Sequence, residues 1–463
     1  MKRIKIAQPA AAFLPLQQTT DSPPIQTIKG LVFEPMMIWN NGDCLPGLIQ
    51  SWSITHHGCQ WQLQLRSGAT FHDGKPCTAD DVIQTLMRIR GAKDSFGMDG
   101  PYARYMRNLE FGVLNETEMV VRSPEPTGDL GDIFCEIYIG RENQAGEPII
   151  GTGPYRVTEY QNGVSLHLEA VPGDVRAKVD WLDFYAMPEA EDRLEALKIG
   201  RVDVATFLEQ LKTIKQDPAF VWKQKAETLS VIYYLNGFSQ PFNQLKARIA
   251  INHAVNVPAI ISDILQGYAI PASTVVSPFH FGFSKDIMPY TYDPKKAKAL
   301  FSECEMSESL EIRTPTFMPE LGVVISERVV AYLQDIGIRA AITVQEDRPQ
   351  YAREIGYQKE IGSMALFDSS PHSTFRVLRD KISCREQAVW WMGVQDETVA
   401  DLIEEATSCF QPAGRFNAYA RCLRWLHDAP PWLYLFHPIR LAAGNEKMNE
   451  MELTHTGILK LID

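Results

Sequence analysis

The chain has no apolar run approaching the ~20 residues of a membrane-spanning helix. It is also short of positive charge, with 45 Lys and Arg against 57 Asp and Glu and a net charge of -12. That balance leaves no surplus to neutralise phosphates, so no nucleic-acid partner is expected. HExxH, GxSxG, Walker and CxxC motifs are all missing, which removes the usual frameworks for zinc hydrolysis, an acyl-enzyme serine, nucleotide binding and dithiol chemistry. No enzyme activity, cofactor or metal is therefore expected. Neither an internal repeat nor a low-complexity linker is found. The eight cysteines, Cys44, Cys59, Cys77, Cys135, Cys304, Cys384, Cys409 and Cys422, lack framework spacing and are expected as small buried apolar residues. A basic segment, a long apolar run and a cleavage site are not found at the start: 10–16 is broken by Pro15, and Ile4 and Ile6 already suggest a strand. Two expectations follow, a chain whose leader is missing or a cytoplasmic protein.

With 463 residues, the chain exceeds the roughly 250–300 at which a single core stops growing, so at least two lobes are expected. The segment 45–86 is the most informative. Trp61, Leu63 and Leu65 alternate with Gln60, Gln62, Gln64 and Arg66, the period of a half-buried strand. Asp73, Gly74, Lys75 and Pro76 stop it, and Thr78 with Asp81 begins a helix whose Val82, Ile83, Leu86 and Ile89 share one face. Further on, 310–312, 321–336 and 338–344 alternate strand, helix and strand, with Gly337 ending the helix. This is a βαβ unit with an expected right-handed crossover. A helix with Pro258 in its first turn ends before Gly267, and Phe416, Tyr419, Leu423 and Leu426 mark another that Pro430 and Pro431 terminate.

The ordered residues Leu48, Ser51, Trp52, Arg66, Gly68, Phe71, His72, Asp73, Gly74, Pro76, Thr78, Ala79, Asp81 and Val82 follow the pattern L-A-x-S-W, strand, R-x-G-V-x-F-H-D-G-x-P-x-T-A-x-D-V. This resembles the signature of the extracellular solute-binding proteins, family 5, the dipeptide, oligopeptide and nickel-chelate receptors of ABC importers. GTGPYRVTEY from Gly151, RLEALKIGRVDVA from Arg193, the segment from Tyr234, YDPKKAKALF from Tyr292 and APPWLYLFH from Ala429 extend the resemblance over nearly the whole chain. It implies an α/β, two-lobed periplasmic-binding-protein-like fold of type II, with mixed sheets, a cleft between lobes and an extra subdomain on the N-terminal lobe. The implied division is 1–35, 150–236 and 432–463 for lobe I, 36–149 for its subdomain and 237–431 for lobe II. The implied function is capture of a small polar ligand, such as a short peptide, an amino-acid conjugate or an opine-like compound, by lobe closure and delivery to a membrane permease. The alternative is a cytosolic ligand sensor of the same fold. The resemblance further implies a periplasmic or cell-surface location if a leader is missing from this chain, and a monomer is expected.

The candidate ligand residues follow from the resemblance and from side-chain chemistry. Asp368 corresponds to the family aspartate of a W-x-x-D-Y-P-D-P loop that pairs with a ligand ammonium, and Phe367 stands near the position of that loop's tryptophan. A buried ammonium needs such a carboxylate; the structural alternative is a cap on a helix at 373–381 or on its turn. Trp390 and Trp391 offer a stacking wall, unless one is core. Tyr234 and Asn236 lie at a first expected crossing between lobes and His437 at a second, with a purely hinge role as alternative. Arg376, with Arg379, suits a ligand carboxylate or phosphate, or else a solvated helix face. The GTGPY segment is expected as a turn, and the adjacent His56 and His57 point apart on a strand.

Overall fold

The strand Arg3–Gln8 buries Ile4 and Ile6 and lies at the middle of a mixed sheet. The computed structural model describes residues 2–40, 43–93, 97–316 and 321–462. The chain forms two compact units: Met1–Lys225, Ser408–Phe410 and Arg440–Asp463 make the first, and Ala226–Thr407 with Gln411–Ile439 the second. Within the first, Arg3–Gln8 pairs in parallel with Trp181–Ala186 and with Val204–Ala205. The hairpin of Tyr155–Gln161 and Ser165–Ala170 extends the sheet antiparallel to Trp181–Ala186. Helix Pro23–Val32, with proline in its first turn, closes one face through Ile28 and Val32.

A four-stranded antiparallel sheet in the same unit runs Ile49–Thr55, Gln60–Leu65, Glu118–Arg122 and Glu110–Val113. Trp61, Leu63 and Leu65 are buried as the alternation requires. Helix Ala79–Arg90 carries the expected capping box: the Thr78 amide donates to Asp81 Oδ2 at 2.9 Å, and Thr78 Oγ1 accepts from the Asp81 amide at 3.5 Å. His56 and His57 differ from the expectation. They are not on a strand; both take positive φ, 52° and 55°, in the tight turn joining Ile49–Thr55 to Gln60–Leu65.

The motif residues of this unit hold its own turns together. His72 donates its backbone amide to Gly151 O at 2.9 Å, accepts from the Gly151 amide through Nδ1 at 3.3 Å, and reaches Gly153 O through Nε2 at 2.9 Å. Burial lowers its pKa, which favours the neutral tautomer this pattern needs. The GTGPY segment is a turn, as expected, and its glycines are sterically required, because a Cβ on Gly151 would stand 1.9 Å from Val32 O. Arg66 makes two 2.8 Å bonds to Glu34, and Arg141 binds Asp81 at 2.7 Å.

The second unit is built on strand Ser230–Leu235, all six residues of which are buried. It pairs antiparallel with Met364–Ser369 on one side and with the first part of Trp432–Gly444 on the other. Leu310–Pro315 continues the sheet parallel to Met364–Ser369, and Ala340–Gln345 parallel to Leu310–Pro315. Helix Gly322–Asp335 connects the last two, the βαβ unit expected, with Ile325, Val329 and Leu333 inward. Val231, Tyr233, Leu235, Leu366, Leu433 and Leu435 form the core beneath it. Helices Val257–Asp263 and Pro412–Asp428 also fall where their prolines and apolar residues place them. Among the described residues no helix is long and apolar enough to cross a membrane.

Candidate ligand-binding site

Strand alternation separates the two faces of Ser230–Leu235. Tyr233 and Leu235 enter the core, so Ile232 and Tyr234 face the other way. Their cross-strand partners are Phe367 for Ile232, and Ala365 and Trp432 for Tyr234. The Tyr234 ring lies 5.6 Å from Phe367, 5.5 Å edge-on from Trp432 and 6.4 Å from Trp390, to which it is nearly parallel. Phe367 meets Trp390 at 4.9 Å and stacks on Tyr351 at 5.8 Å. Such offset and edge contacts suit aromatic quadrupoles. Tyr234, Trp432 and Tyr351 are buried, whereas Phe367 and Trp390 are half-buried. These two rings form the open side of the cluster.

Two π-helical turns frame it. Glu354–Gln358 brings Gly356 under Trp390, where a Cβ would lie 3.1 Å from the indole, and Lys359 follows at once. The Lys359 ammonium donates to Trp391 O at 3.0 Å and to Val389 O, fixing the backbone on both sides of Trp390. Burial lowers its pKa to about 8. Leu378–Ile382 carries Lys381, whose Nζ donates to Asp368 O at 3.3 Å and stands 5.9 Å from the Tyr234 ring centroid. Arg376 Nε meets Asp380 Oδ2 at 3.3 Å. Single π turns recur at functional sites because they displace a side chain by one position.

The electrostatics are those of a closed polar corner. Burial, then the charges of Asp368 and Asp380, hold the Tyr234 hydroxyl well above its ordinary pKa, so it remains a neutral O–H. That hydroxyl has no hydrogen-bond partner among the described residues. Asp368 is itself buried at the end of Met364–Ser369. It is not the cap of the helix that follows, since Ser373 takes the N-cap position before Thr374–Val377. Arg376 does not belong to a solvated face either: it is buried and ion-paired, while Arg379 pairs with Glu386.

The structure thus gathers Tyr234, Phe367 and Trp390 into one ring cluster; Asp368 and Asp380 act on the Tyr234 hydroxyl by charge, and Arg376 is joined to this group through its ion pair with Asp380. Asn236 and His437 stand apart, and Trp391 makes no ring contact with the cluster but borders it through Lys381 and Trp432. Asn236 is consumed by its turn, donating to Gly362 O at 2.7 Å and accepting from the Phe238 amide at 3.0 Å. Trp391 is buried, donates to Val394 O at 3.0 Å, packs edge-on against Phe238 and lines a small recess with Lys381, Met392 and Trp432. His437 is buried against Leu229 O, 3.1 Å from Nδ1, and Ser230 Oγ; burial lowers its pKa to about 3, and its Nε2 has no partner among the described residues. Sequence reasoning passed over Tyr351, Trp432, Lys359 and Lys381. Trp432 carried a signal, an aromatic residue opening the buried run 432–436; the others depend on non-local register. Among the described residues no group of three or more His, Cys, Asp or Glu is arranged to hold a metal ion.

The mixed α/β fold is that of the two-lobed periplasmic binding proteins. The periplasmic binding protein DppA from Helicobacter pylori in complex with peptide STSA superposes with a TM-score of 0.79 at 19% identity, covering 100% of this chain and 98% of that one. A model described as bacterial extracellular solute-binding proteins, family 5 Middle, matches residues 44–377. The chain belongs to that family, whose members are binding proteins. Among its relatives, the dipeptide-binding protein of Escherichia coli is 25% identical over 437 residues, 85% of this chain and 81% of the relative. Heme-binding protein A of Haemophilus influenzae is 28% identical over 444 residues, 86% and 80% of the two chains.

Proposed function

We propose that this protein is the substrate-binding component of an ABC importer, which captures a small polar ligand and delivers it to a membrane permease. The observation that carries the site is the half-open pair Phe367 and Trp390, backed by the unpartnered Tyr234 hydroxyl and flanked by buried charges of both signs. Such a corner suits a ligand with a flat or apolar body and ionised ends. In this reading the rings stack on the body, Asp368 meets an ammonium group and Arg376 a carboxylate. A short peptide, an amino-acid conjugate and an opine-like compound share that chemistry, and relatives named for dipeptides support the first of them. Asn236 and Trp391 shape the adjoining turns, and His437 a buried polar end of the strand pair. Capture is accompanied by closure of the two lobes, and the protein acts as a monomer outside the cytoplasm. No observation favours the cytosolic sensor.

A thermal-shift panel of di- and tripeptides, amino-acid conjugates and opines tests this reading. A ligand at 100-fold excess over Kd stabilises the fold by about 2.7 kcal/mol, so a binder raises the melting temperature clearly in the parent and less in Trp390→Ala. Absence of any shift across the panel counts against the receptor reading. An equal shift in Trp390→Ala removes the aromatic pair from the site.

A further inference from the structure

Cys44 and Cys135 are far apart in sequence and adjacent in space. Cys44 lies on strand Asp43–Pro46, and Cys135 in the last turn of helix Leu130–Glu136. Their sulfurs are 3.9 Å apart across a separation of 91 positions. Gly131, one helical turn before Cys135 and on the same helix face, makes this approach possible: a Cβ there would stand 2.7 Å from Cys44 Sγ. The Cys44 sulfur therefore fills a notch left by the missing side chain. The Trp61 ring, 3.6 Å from the same Cβ position, closes the notch from behind. Cys135 is buried and Cys44 half-buried, so a reagent reaches Cys44 first.

We propose that Cys44 and Cys135 are an oxidation site and form an intramolecular disulfide that staples the strand Asp43–Pro46 to the helix Leu130–Glu136. The sulfurs need to close from 3.9 Å to about 2.05 Å, which side-chain rotation accomplishes most easily on the exposed strand. The oxidant is an external disulfide. The Cys44 thiolate attacks one of its sulfurs, making a mixed disulfide and releasing one thiolate. Deprotonated Cys135 then attacks Cys44 Sγ and displaces the second thiolate. The two protons lost by the cysteines protonate the two released thiolates, and the external disulfide takes up the two electrons. The hydrogen bond to Cys44, followed by burial, raises the Cys135 pKa, which makes the second displacement the slow step. Formation in the native host rests on the extracytoplasmic reading, because only an oxidising compartment maintains such a bond; formation in vitro does not.

The test uses the purified full chain, reduced and then incubated with oxidised glutathione at pH 8. Free thiols are blocked and non-reduced peptides mapped by mass spectrometry. A linked peptide containing Cys44 and Cys135 is expected, with a melting temperature raised on the order of 5–10 °C relative to the reduced protein. Gly131→Ala keeps both thiols but occupies the notch, and slows linkage about tenfold or more. Cys44→Ser, checked by circular dichroism for retained fold, abolishes the linked peptide. The proposal is overturned if all eight cysteines stay alkylatable after oxidation, if Cys44 or Cys135 pairs with a different cysteine, or if Gly131→Ala links as fast as the parent. A linked peptide in vitro together with reduced protein from the native host upholds the site and overturns the extracytoplasmic reading instead.

Discussion

Replacing Tyr234 with Phe removes one oxygen atom from the centre of the proposed site, and the structure gives the sign of both effects. Tyr234 is fully buried, and its hydroxyl has no hydrogen-bond partner among the described residues. An ordinary buried Tyr→Phe change loses about 1 kcal/mol with the lost hydrogen bond. Here the hydroxyl is desolvated without return, a burden of about 1–3 kcal/mol that the substitution lifts. The ring contacts to Phe367, Trp390 and Trp432 are unaffected. The ligand-free variant is therefore more stable than the parent, by roughly 2–10 °C in melting temperature for a unit of this size. Ligand binding moves the other way. A hydroxyl that bonds a neutral ligand group contributes about 1 kcal/mol and one that bonds a charged group about 1.5–3 kcal/mol, so affinity falls roughly 5- to 150-fold. Thermal melts of the ligand-free proteins and calorimetric titration with a ligand from the panel measure the two effects. A variant that is less stable and binds with parental affinity would refute this reasoning, since the hydroxyl would then serve the fold.

Asp368→Asn keeps the shape of a buried side chain and removes its charge; if Asp368 meets a ligand ammonium, calorimetry shows a loss of roughly 3–5 kcal/mol, more than a hundredfold, and unchanged affinity assigns Asp368 to structure. His437 and His280 are buried with pKa values lowered by burial to about 3 and about 4. The unfolded chain takes up protons near pH 6.5 that the folded one refuses, so their contribution to stability is complete above that pH and falls as the pH drops toward 4. Between pH 6 and pH 4.5 the parent should lose about 2 kcal/mol more than His437→Gln in parallel denaturant melts; equal losses would mean that His437 is protonated in the fold. Lys359→Met removes the ammonium that holds Val389 O and Trp391 O, and should weaken ligand binding several-fold while Trp390→Ala, already without the indole, gains no further loss from it.

The parts of the fold set by local chemistry were legible. The alternation of Gln60–Leu65, the Thr78 and Asp81 capping box and the βαβ unit from Leu310 to Gln345 each depend on residues within one or two elements. The His56–His57 turn was misread because strand alternation was extended into residues that take left-handed conformations. At the candidate site, an expected lobe crossing suggested Tyr234, the resemblance Phe367 and ring character Trp390, but nothing local reveals that cross-strand register sets Phe367 opposite Ile232 and brings Tyr351 beneath it. The π turns were equally hidden, because they change which side chains face the sheet without changing the apolar period much. Arg376 carries a readable signal in the sequence: Asp380 stands four positions on, and that spacing permits the ion pair that accompanies its burial. The signature residues Arg66, His72 and Asp81 identify the family, yet their bonds go to Glu34, the Gly151–Gly153 turn and Arg141. Their role in the structure is to hold the first unit together.

Native mass spectrometry of the full chain, purified without denaturation and then mixed with the panel compounds, addresses ligand capture most directly. The expected result is a small-molecule adduct in one-to-one ratio, carried through purification or acquired from the panel, that is lost on denaturation and reduced in Tyr234→Phe and Asp368→Asn. A bare protein mass with every compound, or an adduct retained equally by both variants, would contradict the assignment of this protein and this site to solute capture.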